Sequence, residues 1–124
     1  MIEIEFENRS GAAVDERAVT EVCRRVLAGE RVEAGELGVA FVAPDEIRAL
    51  KREHLGADEP TDVLSFPIDG RDDVPAGLPR QLGDVVICPA VVGDGWREPL
   101  VHGLLHLLGH DHGTEMETLE RRYG

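Results

Sequence analysis

The chain lacks most of what stabilises or anchors proteins outside a reducing compartment. Two cysteines occur in 124 residues. Cys23 and Cys88 lie far apart, each in an apolar pattern and without a CxxC partner. That excludes a disulfide framework and a cysteine metal knuckle, and both read as small buried hydrophobes. No apolar run approaches the roughly 18 to 20 residues that span a bilayer, and the opening MIEIEFEN lacks the basic-then-apolar layout of a signal peptide. A soluble, cytoplasmic protein without a membrane partner is expected. Positive charge is also scarce: 13 basic against 25 acidic residues leave a net charge of −12. Such a field repels phosphate backbones, which excludes non-specific binding to DNA and confines any nucleic-acid contact to a local site. Lysine occurs once, at Lys51, and the other basic residues are arginines. What is present is enough apolar sequence, 42%, for one core, so residues 1–124 are expected to form a single domain.

Residues 2–8, IEIEFEN, alternate strictly and read as a half-buried strand. Val19, Val22, Cys23 and Val26 follow helical spacing between a cap at Asp15 and Gly29. LGVAFVA (37–43) suits a strand, and Pro44 opens a helix that ends near Gly56. VLSFPI (63–68) and LGDVVICP (82–89) read as strands around the turn-rich segment 69–81. Leucine spacing predicts a helix from Arg97 to Leu108, and Thr114 with Glu117 has capping-box spacing at the start of a last helix, 114–122. The order βαβαββαα implies an α+β fold, a mixed four-stranded sheet packed with helices.

Four of the five histidines fall in VHGLLHLLGHDH (101–112). On a helix His102 and His106 share a face, about 5 to 6 Å apart at Cβ, and both can reach one ion. A third ligand on the same straight helix cannot, because His110 would lie about 12 Å along the axis from His102. Gly109 can end the helix in a left-handed conformation and let the chain return. The stretch then reads HxxxHxxGxxH, with His102, His106 and His112 as ligands and His110 as the alternative third. Three imidazoles with an open fourth position is the catalytic arrangement of zinc. Asp84 and Asp111 are candidate acceptors for ligand N–H groups. Metzincin proteases share the spacing, but their general base is a glutamate directly after the first histidine; here that residue is Gly103. Hydrolysis remains within reach of an ion-activated water, and peptide cleavage is disfavoured.

Three blocks, PTDVLSFP (60–67), LGDVVICP (82–89) and VHGLLHLLGHDH (101–112), resemble the YbeY family of bacterial rRNA maturation factors, metal-dependent single-strand endoribonucleases. The resemblance covers the second half of the chain by motif and the first forty residues only by pattern. It implies a fold related to the zincins with a three-histidine site, one Zn2+ per chain on His102, His106 and His112, and single-stranded ribosomal RNA as partner, with ribosomal proteins nearby. The implied role is late maturation and quality control of the small-subunit rRNA 3′ end. Three departures stand out. His110 replaces the family's usual tyrosine, the connection from Cys88 to His102 is short enough to have lost most of a helix, and Leu55 stands where the family has arginine. Arg52, one turn earlier, or Arg71 or Arg80 from the neighbouring loop, could take over phosphate contact. Arg52 and Asp84 are therefore the catalytic candidates besides the ligands. The alternative function is a ribosome-associated assembly factor with a structural zinc and vestigial cleavage; a hydrolase of small phosphate or amide substrates is a third.

Overall fold

The structure, a computed structural model, describes residues 2–56, 62–69, 74–75, 77–110 and 114–123, with only the backbone of Leu55 and Thr114. Four strands, β1 (Ile2–Asn8), β2 (Gly35–Phe41), β3 (Val63–Pro67) and β4 (Gln81–Ile87), form one sheet in the order β1-β2-β4-β3. β1 and β4 each run parallel to β2, and β3 runs antiparallel to β4. This is the expected α+β arrangement: the parallel pairs are joined by crossovers and the antiparallel pair by a loop.

Helix α1 (Glu16–Gly29) is capped by Asp15, whose side chain accepts from the Ala18 N–H at 3.2 Å. It buries Val19, Val22, Cys23, Val26 and Leu27, the stripe its spacing predicts. Burial pushes the Cys23 thiol up to about 12. Helix α2 (Pro44–Leu55) opens on proline and stops at Gly56, which takes φ +74 and returns its N–H to the Arg52 carbonyl. A single turn, α3 (Pro89–Val92), is what remains between β4 and α4 (Arg97–Leu107); α5 (Thr114–Tyr123) closes the described chain. Thr114 is the first helical residue of α5, so the cap position falls on residue 113, outside the described residues.

β2 begins two residues before the expected apolar run and ends two before its end. Pairing with β1, from Gly35 opposite Ile2 to Phe41 opposite Asn8, sets those limits, and Val42 belongs to the turn into α2 although it is fully buried. β4 carries one extra residue: Glu36 pairs with Gln81 but Leu37 pairs with Gly83, so Leu82 bulges out of the ladder. The sheet is covered on both faces. α1, α4 and α5 share the larger core with Leu37, Val39, Val85 and Ile87, while Ile47 of α2 packs with Val42, Leu64, Val86 and Cys88 in a smaller one.

α4 approaches the sheet very closely at Gly103. A Cβ there would come within 2.8 Å of Val85 Cγ1 and 3.3 Å of Val63 Cγ2. The helix lies against β3 and β4 because this residue has no side chain. Residue 103 therefore faces the sheet, which is a physical reason for glycine in the place where metzincins carry their base.

Candidate metal centre

α4 presents His102 and His106 on the side that looks toward the edge strand β3, next to each other by the four-residue spacing. Their Nε2 atoms are 2.9 Å apart and their rings cross nearly edge to face, 4.5 Å between centroids. Two ligands at about 2.0 to 2.1 Å from a tetrahedral ion stand roughly 3.3 Å apart, so the pair is gathered to nearly the separation one ion requires. Behind it, His102 Nδ1 meets Glu120 Oε1 of α5 at 2.9 Å. With the proton on Nδ1, donated to the carboxylate, the Nε2 lone pair points at the pair's meeting point. This is the carboxylate–histidine relay that commonly fixes the tautomer of a metal ligand.

The imidazoles open into a cleft of about 710 Å³. β3 supplies one wall, with Val63, Ser65 and Phe66; Glu98 and Pro99 of α4 and His54 of α2 line others. Asp62 and Glu120 add carboxylates to that lining, and among the described residues it contains neither arginine nor lysine.

α4 ends as Gly109 allows. Gly109 takes φ +92; its N–H donates to the His106 carbonyl and the His110 N–H to the Leu105 carbonyl, both at 3.0 Å. This is the paired-bond glycine stop of helix C-termini. The reversal carries His110 away from the pair and into a second cluster. His110 Nε2 lies 2.7 Å from Glu30 Oε1, and the Tyr123 hydroxyl donates to Glu30 Oε2 at 2.8 Å. The Glu30 side chain is only 8% exposed. Tyr123 closes over Gly29, where a Cβ would fall 2.3 Å from the hydroxyl oxygen, and Arg25 donates to the Tyr123 carbonyl. Burial first, then the bond to Glu30, raises the Tyr123 hydroxyl above its ordinary range. His110 is thus occupied as a structural tie between the end of α1, the turn after α4 and α5.

The sequence-expected residues divide accordingly. His102 and His106 are brought together. His112, Asp111 and Arg71 lie outside the described residues, as does the Leu55 side chain, and among the described residues no group of three His, Cys, Asp or Glu side chains is assembled that could hold an ion. Asp84 is separated from the pair. Val85 faces α4, so its strand neighbour points to the other face, where Asp84 lies exposed over Gly38 in a groove with Glu5, Glu7 and Arg9. The carboxylate that does reach one of the pair, His102, is Glu120, which sequence reasoning missed. Arg52 is exposed on α2 and Arg80 half-buried before β4; neither lines the cleft. His54, the fifth histidine, does.

The chain matches the model of the family described as Endoribonuclease YbeY over residues 3–122. A relative from Halorhodospira halophila named Endoribonuclease YbeY is 38% identical over 137 aligned residues, covering 98% of this chain and 89% of that protein. One of the same name from Rubrobacter xylanophilus is 39% identical over 122 residues, covering 96% and 86%. Among solved structures, the solution structure of a Thermotoga maritima protein superposes with a TM-score of 0.62 at 24% identity, covering 97% of this chain and 85% of that one; this likeness speaks for the fold. Among the described residues no helix is long and apolar enough to cross a membrane.

Proposed function

Since the chain belongs to the YbeY family of endoribonucleases, we propose that it cleaves single-stranded ribosomal RNA, in maturation and quality control of the small-subunit 3′ end, at one zinc ion held by His102, His106 and His112. The observation that carries this reading is the convergence of two Nε2 atoms at 2.9 Å with a carboxylate seated behind one of them. Incidental helix-edge histidines have no need of that relay. Imidazole nitrogens suit zinc, and also nickel, copper and iron; zinc is the choice that follows the family. When bound, such an ion supplies Lewis acidity toward a phosphoryl oxygen or a water molecule.

The chain's own residues do the rest. Glu120 fixes the His102 tautomer, and packing of Gly103 on Val85 holds the ring's backbone in place. The open cleft of about 710 Å³ admits an extended strand, whereas a hydrolase of small metabolites would be served by a closed cavity. The assembly-factor reading has no comparable support, because a purely structural site has no use for a cleft at its open side. With a net charge of −12, productive binding to RNA depends on contacts inside that cleft, or on ribosomal proteins that share the load.

The test is cleavage of a labelled single-stranded RNA by zinc-loaded protein, with His106→Ala purified in parallel as the control for contaminating nuclease. Cleavage by the parent and not by the variant is expected. Equal cleavage by both would assign the activity to a contaminant and leave the assembly-factor reading.

A further inference from the structure

We propose that His54 is the side chain that contacts a phosphate of the RNA strand in the cleft, a role that rests on the endoribonuclease reading for its substrate but on this chain's geometry for its residue. His54 stands in the last turn of α2, on the lining of the same cleft as His102 and His106. It is seated there: its ring meets Phe66 of β3 edge-on, with centroids 5.0 Å apart and planes at 62°. The ring is nevertheless exposed, and among the described residues neither of its nitrogens has a hydrogen-bond partner. An imidazole held on one face by an aromatic ring and bare at its nitrogens presents at least one N–H for donation in either tautomer.

The rest of the wall makes this donor matter. The ionisable groups sharing the cleft with the histidine pair are Asp62, Glu98 and Glu120, all of which repel a phosphodiester. Among the described residues of the lining, His54 is the one side chain beyond the histidine pair that can offer a phosphate oxygen an N–H or a positive charge. Arg52 cannot share the position, because residues two apart on a helix point roughly 200° apart, and it is absent from the lining. A phosphodiester strand carries acceptor oxygens at every residue, and a side-chain N–H that meets one offsets the acidic wall and positions the strand without reading its bases.

The experiment measures binding of a short fluorescein-labelled 2′-O-methyl single strand to zinc-loaded protein by fluorescence anisotropy, with zinc content determined on the same samples. His54→Phe keeps a ring against Phe66 and removes both nitrogens; His54→Arg restores a donor and a charge. His54→Phe should raise Kd about 10-fold, His54→Arg should return it to the parental value or below, and zinc content should be the same in all three. A parental Kd in His54→Phe overturns the proposal, as does equal weakening in both variants, which would make the ring's shape the important property, or loss of zinc in His54→Phe, which would place His54 among the ligands. Failure of the wider reading looks different: a parent that binds the strand through His54 and leaves an unmodified RNA uncut sinks the endoribonuclease and spares this contact. Cleavage of unmodified RNA with the same KM in parent and His54→Phe does the reverse.

Discussion

His102 and His106 are four residues apart, and so are His106 and His110. The first pair shares a helix face, points its Nε2 atoms together and leans on Glu120 from outside. The second pair is split by Gly109, and His110 faces the opposite way, onto a carboxylate anchored in the turn after α1. Their surroundings differ as much as their directions: one pair looks into an open cleft, while the other histidine sits against a nearly buried Glu30. Equal spacing of equal residues gives one arrangement that can bind an ion and one that holds the fold together, and a single left-handed residue decides between them.

The sharpest way to break this comparison is to exchange the two roles. His106→Ala should reduce zinc content to background, measured by elemental analysis of protein purified without chelator, whereas His110→Tyr should leave it at the parental value. Zinc lost from His110→Tyr would mean that the turn after Gly109 delivers His110, rather than His112, to the ion. Glu120→Gln should weaken zinc affinity about 10- to 100-fold, the usual effect of removing a ligand's carboxylate partner, with the unfolding midpoint of the metal-free protein little changed. A competition titration with a chromophoric chelator reads this directly, and unaltered affinity would remove the relay from the account.

The second cluster should answer in stability instead. Glu30→Ala leaves His110 and Tyr123 without their shared acceptor, and should cost about 2 to 4 kcal/mol in denaturant unfolding of the metal-free protein. If it stripped zinc as completely as His106→Ala, the two clusters would not be separable. Tyr123→Phe is the smallest expected effect, about 1 kcal/mol at neutral pH. Its pH dependence has a definite sign. Because the folded protein holds the Tyr123 hydroxyl above its ordinary value, the stability it contributes is complete below the unfolded value near pH 10 and is lost as pH rises through the folded one. Parent and Tyr123→Phe should therefore converge in alkaline unfolding curves; a gap that persisted would show that Tyr123 acts through packing alone.

How much of this could be read from the sequence follows from how far each determinant lies along the chain. Periodicity gave β1, the buried stripe of α1 and the extent of α4 to within a residue, because each depends on neighbours two to four positions away. Gly109 was legible as a stop for the same reason. Glu120 was not, since its approach to His102 depends on how α5 packs across α4, which no local pattern encodes. Asp84 failed as a partner because strand alternation, counted from Gly83 and Val85, turns it to the other face. At the end of α2 the helical phase puts His54, and not Arg52, on the cleft side, a difference that charge alone does not reveal.

Gly103 bears on when the ordering of the histidine pair takes place. Where a Cβ would collide with Val85, the backbone of α4 instead rests directly on β4 and β3, followed by the fully buried Leu104 and Leu105. Amide hydrogens there should be among the last in the chain to exchange with deuterated solvent, opening only with global unfolding. The conformational entropy of gathering two imidazoles is then lost during folding, so an ion binding there would meet a preorganised pair.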